Sequence, residues 1–482
     1  MRRRDFLIGL PTALAAAHAL PRAVFAELPP SWAIGFAGVE SDLAPLPMSV
    51  QGRLPAPCQG TLFRNGPALY QRAGQRYGHW FDPDGMIQAF RFAADQVVHQ
   101  GRFVRTERLL KESAAGRFLF NGAGSKISGA MPERNNETLN VANINVQLVG
   151  DELLALWEAG SAYRVDPDSL ETLGVQHWSK ELAGVPFSAH PRTDESGNLW
   201  NIGSASFAGS NPRLVLYQIS AAGQLKKFRV HPLDFAGYMH DFILTPRYMI
   251  ALNSSAISTM TESETFVGSV KWMPEQPSQL LVFDRQTLDH VKTIEVPATF
   301  VFHFGNAWED QQQLEWTACA YPNSNFMTIG MARLAQQQPG PYYSDLTLVR
   351  YRLDLNKSRC QIEPLDVDLE FPAFDRRAPF SPQPLYGASG SGSSASGLAT
   401  AVMRIDPRSG DAQRYDYGPD YIVEEPQLIG GDYLMHSFLD HRRGRSGVAI
   451  LRAAALADGP ILLAEMERIL PLGFHGCFVA AA

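Results

Sequence analysis

Gly237-Tyr238-Met239-His240-Asp241-Phe242 sets a histidine among aromatic and sulfur-bearing side chains, with a carboxylate directly beside it. A solvated loop gains nothing from such neighbours. Three more histidines occupy similar settings: Ser188-Ala189-His190-Pro191, Val301-Phe302-His303-Phe304-Gly305-Asn306 and Gly473-Phe474-His475-Gly476. Neutral imidazole is the commonest metal ligand, and a buried imidazole needs a metal or a polar partner. Successive members of the set lie roughly 50, 60 and 170 residues apart, too far for one helix or loop to carry them. If the four share one metal, the fold must bring distant segments to a common axis.

The sequence between these histidines supplies a candidate. From Val141 onward a unit recurs: strand, a turn rich in Asp, Pro, Gly or Ser, strand. Its copies run from Tyr163 to Val175, Leu216 to Val230, Leu281 to Val296, Tyr351 to Leu365 and Met403 to Tyr417. Their turns fall roughly 50–70 residues apart with no long helical pattern between them. Repeated β-units at this spacing point to an all-β propeller with long loops, since the usual blade repeat is about 40–50 residues. Such a ring leaves seven or so strands facing one axis, which is the geometry the histidines require.

Composition is that of a globular chain with ample core: 482 residues, 45% hydrophobic and 19% charged. The formal net charge is −7 with no basic run, which argues against a nucleic-acid partner. Cys58, Cys319, Cys360 and Cys477 form no CxxC, so neither a zinc ribbon nor a disulfide framework is indicated. Arg3-Arg4-Asp5-Phe6-Leu7 is a twin-arginine pattern, followed by an apolar run from Leu10 to Leu20 and by small residues around Val24-Phe25-Ala26. Pro11, Pro21 and the shortness of the run argue against a spanning helix, which needs about 20 apolar residues. Residues 1–26 are therefore expected to be a twin-arginine signal peptide, and 27–482 one propeller domain in the periplasm. Loss of four arginines and one aspartate with the signal takes the net charge from −7 to −10.

Four local expectations complete the pass. Leu28 to Pro57 reads as an extended arm. Asp84-Gly85 reads as a tight turn before a strand from Ile87 to Phe92. Segment 103–120 reads as helical, either a surface helix or a lip that touches membrane through Phe118-Leu119-Phe120. Gly387 to Gly397, nearly all Gly, Ser and Ala, reads as a flexible surface loop.

A lone histidine in apolar surroundings is more often a core residue bonded to a carbonyl than a ligand. Carboxylates sharpen the case for ligands. Glu158 ends the apolar strand Leu153 to Leu156, Glu370 lies in Leu369-Glu370-Phe371-Pro372, and Glu425 precedes Pro426. Metal-bound histidines usually donate their second N–H to a carboxylate or carbonyl.

With these contexts His190, His240, His303 and His475 resemble the four iron ligands of the carotenoid cleavage oxygenase family. The resemblance extends through Arg64-Asn65-Gly66-Pro67, His79-Trp80-Phe81-Asp82, Asp84-Gly85-Met86, Leu153 to Glu158, Asp166-Pro167 to Glu171-Thr172 and Glu370-Phe371-Pro372. It implies a seven-bladed β-propeller with a few short helices capping the iron-bearing face, and one Fe(II) per chain on its axis. Glu158, Glu370 and Glu425 match the family's carboxylates behind the ligands. The implied reaction is scission of a conjugated C=C bond by O2 into two carbonyl products.

Some positions depart from the family pattern. Asp82-Pro83-Asp84-Gly85-Met86 carries proline where glycine is usual. Ile144 stands where many members have threonine. The chain ends soon after Gly476. Phe103, in Gly101-Arg102-Phe103-Val104, replaces a tyrosine that stilbene-cleaving members use for a phenol, and their companion lysine has no match. Phe103 and Ile144 are thus expected to face the substrate pocket. The expected substrate is an apolar apocarotenoid, with a stilbene-like or lignin-derived aryl alkene as the alternative. A non-catalytic propeller scaffold would not need the full histidine set, and a calcium-binding propeller lactonase would show an oxygen-rich one.

Overall fold

The computed structural model describes residues 29–481 except 95, 206–210, 260–263, 311–312, 339–344, 391 and 393; the signal peptide expected at 1–26 lies outside them. Seven antiparallel sheets of four or more strands form a closed ring, the expected seven-bladed propeller. The innermost strands of blades one to six are His475–Ala480, Asn145–Val149, Arg192–Thr193, Phe242–Leu244, Phe300–Asp310 and Glu370–Ala373. Blade seven contributes Tyr421–Val423 and Gln427–Ile429, both paired with Tyr433–Asp440.

Pleating explains why the blades stack. Side chains alternate along a strand, so a strand between two neighbours buries both faces. In blade four, Met249 and Ala251 of strand Tyr248–Asn253 pack toward blade three, beside Trp200 and Leu216. Ile250 and Leu252 of the same strand pack toward blade five, against Val301 and Trp316. A separate apolar cluster of this kind occupies each junction around the ring. Asparagine side chains add staples between blades: Asn65 donates to the Ala142 and Asn145 carbonyls, and Asn145 to that of Ala189, all at 2.7–2.8 Å.

Two pairings close the ring. The last strand joins Gly60–Leu69 of blade one in a register that sets His475 opposite Asn65. Within the N-terminal arm, Leu43–Pro47 forms the edge of blade one, and Ser49–Gly52 crosses to pair with Pro460–Met466 of blade seven. The five sequence repeats are the outer hairpins of blades two to six, for example Tyr163–Val165 with Thr172–Val175.

Three local expectations are corrected. Asp84-Gly85 is not a turn but opens the strand Asp84–Ala93; a Cβ on Gly85 would lie 2.3 Å from the Ala142 carbonyl oxygen, so glycine is there for close approach. The helix within 103–120 is Glu107–Ala115, capped by Thr106 Oγ1 accepting from Leu109 N at 3.1 Å and ended by Gly116 in the left-handed region. Phe118, Leu119 and Phe120 are buried, so that run cannot be a membrane lip. Leu385–Ser389 is a buried central strand, so Gly387 to Ser389 are not part of a loop; of the described residues that follow, Ser394 and Ser396 are buried while Gly392 and Ala395 are exposed. Gly387 packs so tightly on Leu369 that a Cβ would lie 2.5 Å from it.

Short helices cap one face of the ring. The 3-10 turn Ser31–Phe36 and the π-turn Phe326–Gly330, which runs into helix Met331–Ala335, cover an apolar cluster of Trp32, Phe36, Trp80, Phe300, Met331 and Phe474.

Candidate metal centre

Each histidine sits where an inner strand begins or bends. His475 is the first residue of its strand, and His190 and His240 lie two residues before Arg192–Thr193 and Phe242–Leu244. His303 lies inside Phe300–Asp310, at a register shift between Val301 and Phe304 that sets Phe302 and His303 against one residue of the neighbouring strand. Bulges of this kind re-aim a side chain. Phe371, next to Glu370, holds φ 56°, a left-handed conformation rare for a bulky residue. Its ring packs 5.4 Å from His303 and 5.3 Å from His475.

The ring brings all four imidazoles together, with potential ligand atoms within 4.8 Å of one another. His190 Nε2 lies 2.8 Å from His240 Nε2, and His303 Nε2 3.2 Å from His475 Nε2. The carboxylates found in sequence stand behind three of them: Nδ1 of His240, His303 and His475 donates to Glu158, Glu370 and Glu425 at 2.6, 2.5 and 2.9 Å. That fixes the tautomer. His303 and His475 then point two bare Nε2 lone pairs at each other, an arrangement that a cation between them satisfies. Bonds of about 2.0–2.1 Å to one ion separate neighbouring nitrogens by about 2.8–3.4 Å, from right-angled to tetrahedral arrangements. The two observed spacings, 2.8 and 3.2 Å, fall within that range. Imidazole nitrogens suit iron, copper, nickel or zinc and not calcium.

Electrostatics follow the same pattern. Burial and the neighbouring imidazoles hold His190 well below its usual value, which keeps it neutral. Burial also lowers His303, but Glu370 more than offsets it and the net change is upward. For His475 burial outweighs Glu425 and brings it to about 4.

Sequence reasoning missed the groups that hold these carboxylates. The Tyr238 hydroxyl donates to Glu158 at 3.1 Å and the Tyr321 hydroxyl to Glu370 at 2.8 Å. Burial and the adjacent carboxylate push both phenols well above their usual range, so they remain donors. Glu425 is held differently, accepting from Arg64 Nη1 and from the Gly476 N–H, both at 2.7 Å. Asp241 accepts from Arg192 Nη2 at 2.7 Å and from the Phe304 N–H at 2.9 Å, while Arg192 also donates to the Phe304 and Gly305 carbonyls. This pair locks together the chain beside His190, His240 and His303. Asp241 and Tyr238 both flank His240 in sequence, and Arg64 lies in a family motif; those were the available signals.

Two cavities reach the centre. One, of about 860 Å³, mixes polar groups such as Asn145, Arg192, Asp241 and Asn306 with Phe304 and Phe374, and includes His190. The other, of about 1000 Å³, is walled by Trp80, Phe81, Ile144, Phe302, Phe371 and Phe474, and ends on His240, His303 and His475. Ile144 lines this cavity, and its carbonyl accepts from the His475 N–H at 3.2 Å. Phe103 does not. It closes the strand Gln96–Phe103 opposite Met86 and is buried with Leu109 and Phe118 behind blade one.

The sequence profile of the retinal pigment epithelial membrane protein family matches residues 36–480. The chain is 28% identical over 478 residues to the apocarotenoid-15,15'-oxygenase of Synechocystis sp., covering 93% of this chain and 96% of the relative. It is 26% identical over 472 residues to an isoeugenol monooxygenase of Pseudomonas nitroreducens, with coverage of 92% and 95%. A solved cobalt-substituted apocarotenoid oxygenase of Synechocystis superposes with a TM-score of 0.83 at 26% identity, over 94% of this chain and 99% of that one. The chain belongs to this family, the carotenoid cleavage oxygenases, and is an oxygenase that acts by oxidative cleavage.

Proposed function

We propose that His190, His240, His303 and His475 hold one Fe(II) per chain and that the protein cleaves a conjugated C=C bond of an apocarotenoid with O2, giving two carbonyl products. The observation that carries this reading is the apolar cavity of about 1000 Å³ that ends on three of the four imidazoles. Ferrous iron supplies, when bound, the redox chemistry that lets O2 react with a closed-shell alkene. The chain's own work is placement. Phe302, Phe371, Phe474 and Trp80 offer an apolar surface to a polyene and keep water out. Glu158, Glu370 and Glu425 orient the imidazoles and raise their basicity. Both oxygen atoms end in the two products and no proton is gained or lost, so no general base is needed.

A second reading keeps the reaction and changes the substrate to an aryl alkene. Phe103, buried outside the cavity, cannot discriminate against a phenol. Export by the twin-arginine route is part of the proposal, supported by Arg3-Arg4-Asp5 and the apolar run behind it. So is a peripheral membrane contact through the exposed Leu110, Met131 and Ile329; no described helix is long and apolar enough to cross a membrane. Flotation with anionic vesicles checks that contact.

The test of the main reading joins elemental analysis to product mass. One iron per chain, with paired carbonyl products from an apocarotenal panel, is expected. Absence of bound metal would favour a scaffold, calcium a lactonase, and cleavage of aryl alkenes alone the second substrate class.

A further inference from the structure

The apolar cavity takes its wall from segments far apart in sequence, and one buried imidazole outside the metal centre joins two of them. Trp80 and Phe81 come from the segment that follows Gln75–Arg76, whereas Phe326 and Met331 come from the π-turn Phe326–Gly330 and the helix behind it. His79 is fully buried. Its Nδ1 accepts from the Phe81 N–H at 3.1 Å, so the ring proton is on Nε2, which donates to the Met327 carbonyl at 2.8 Å. Burial holds this imidazole below its usual value against the opposing pull of Asp82, so it stays neutral and keeps one acceptor and one donor. An amide side chain can reproduce only half of this: the asparagine oxygen falls near Nδ1, the glutamine nitrogen near Nε2.

The segment that carries His79 is anchored independently. Asp82 accepts from the Gly124 N–H at 2.8 Å and from Ser125 Oγ at 2.5 Å, and the Gly78 N–H donates to Ser125 Oγ at 2.6 Å. The helix Met331–Ala335 is tied to the same segment at its far end, where Arg76 Nη2 donates to the Ala335 carbonyl at 2.8 Å and Gln336 Nε2 to the Gly78 carbonyl at 2.9 Å. At the near end the tie is the bond from His79 to Met327. Beside Met327, Phe326 stacks on Tyr321 with ring centres 5.6 Å apart and planes 9° from parallel. Tyr321 lines the cavity too, and its hydroxyl serves Glu370 behind His303. Single π-turns are rare and are found mostly at functional sites.

We propose that His79 is a positioning residue for the alkene: it pins the π-turn to the Trp80-Phe81 segment and so holds Phe326 and Met331 in fixed relation to Trp80 and Phe81, the arrangement that seats a conjugated chain beside the imidazoles. The proposal rests on the reading of the cavity as the alkene site. Without the bond to Met327 the helix remains tied at Ala335, so the π-turn swings about that end and the cavity wall loosens, while the four metal ligands keep their own partners. Displacement of a bound reactant by about 1 Å can cost about 100-fold in rate.

The test uses full-length, metal-loaded protein with an apocarotenal and a hydroxystilbene as probes. Kd is read without O2 by tryptophan quenching, and KM and kcat with O2. His79→Asn keeps the acceptor for Phe81 but does not reach Met327; it should retain wild-type metal content while Kd and KM of the preferred probe rise about tenfold. His79→Gln keeps the donor to Met327 and should hold Kd within about threefold of wild type. A histidine with a purely structural role would lower Tm and the active fraction but leave the Kd of the folded protein as it was. A Kd for folded His79→Asn within about threefold of wild type overturns the proposal, as do equal losses in the Asn and Gln variants. Should His79→Asn fail to fold, Phe326→Leu removes the ring from the π-turn with His79 in place; it should raise Kd by about fivefold or more, and an unchanged Kd overturns the proposal. If neither probe is turned over, the reading of the reaction fails, while the order of Kd values still decides the role of His79.

Discussion

Replacing Glu425 by glutamine should cost more metal affinity than the same change at Glu370 or Glu158, because the three carboxylates face different donors. On Glu370 one oxygen takes both fixed N–H groups, His303 Nδ1 at 2.5 Å and Phe371 N at 2.7 Å, while the other takes only the Tyr321 hydroxyl at 2.8 Å. A glutamine keeps its carbonyl on the first side and turns its NH2 toward the phenol, which rotates to accept. Glu158 is similar, with His240 Nδ1 on one oxygen and the Tyr238 hydroxyl bridging to the other at 3.1 Å. Glu425 has no such side. One oxygen meets His475 Nδ1 at 2.9 Å, the other Arg64 Nη1 and the Gly476 N–H, both at 2.7 Å. Every partner is an N–H that cannot accept, so an NH2 faces a donor in either orientation. Loss of the charge alone should cost about 10–100-fold in metal affinity at all three positions. The unpaired buried donor at Glu425 adds about 1–3 kcal/mol, roughly another 5–150-fold. Chelator competition measures the affinities, and thermal melts of the metal-free proteins check that each variant folds. Affinity of the Glu425→Gln protein equal to that of Glu370→Gln would show that charge and not hydrogen-bond direction orients the imidazoles.

His190→Ala, His240→Ala, His303→Ala and His475→Ala should each abolish turnover; His190→Ala should keep the most metal by elemental analysis, since no carboxylate bond to its ring is seen among the described residues. Asp241→Asn weakens a buried ion pair that ties three blades together, and breaking such a pair costs about 3–5 kcal/mol; a lowered Tm with reduced metal content is expected, and an unchanged Tm would exclude the clamp. Phe103→Tyr pushes a hydroxyl into an apolar cluster, so stability should fall by about 1–3 kcal/mol while the preference between a hydroxystilbene and its methyl ether stays as it was. Lysines at Arg3 and Arg4 should leave the protein in the cytoplasm on fractionation; export unchanged would refute the twin-arginine reading.

The parts of the fold that could be read in sequence are those whose partners are close in sequence. The outer hairpins of blades two to six showed alternation and turn residues within about 20 positions, so each was visible by itself. Blades one and seven are assembled from both ends of the chain, Gly60–Leu69 with His475–Ala480 and Ser49–Gly52 with Pro460–Met466, and no local pattern records such a pairing. The site divides along the same line. The histidines and glutamates stood out through their immediate neighbours, whereas the roles of Arg192, Tyr321 and Arg64 arise from contacts between blades. Small residues misled for a related reason. A glycine chosen for a turn and one chosen because another backbone passes close by look the same in sequence. Asp84-Gly85 reads as a turn and Gly387 to Gly397 as a loop, yet Gly85 lies against Ala142 and Gly387 against Leu369. Phe103 shows the converse. Its place on a strand was clear, but pleating sends it toward Leu109 and Phe118 and away from the axis. Alternation tells which residues share a face; only the closed ring tells which face meets the metal.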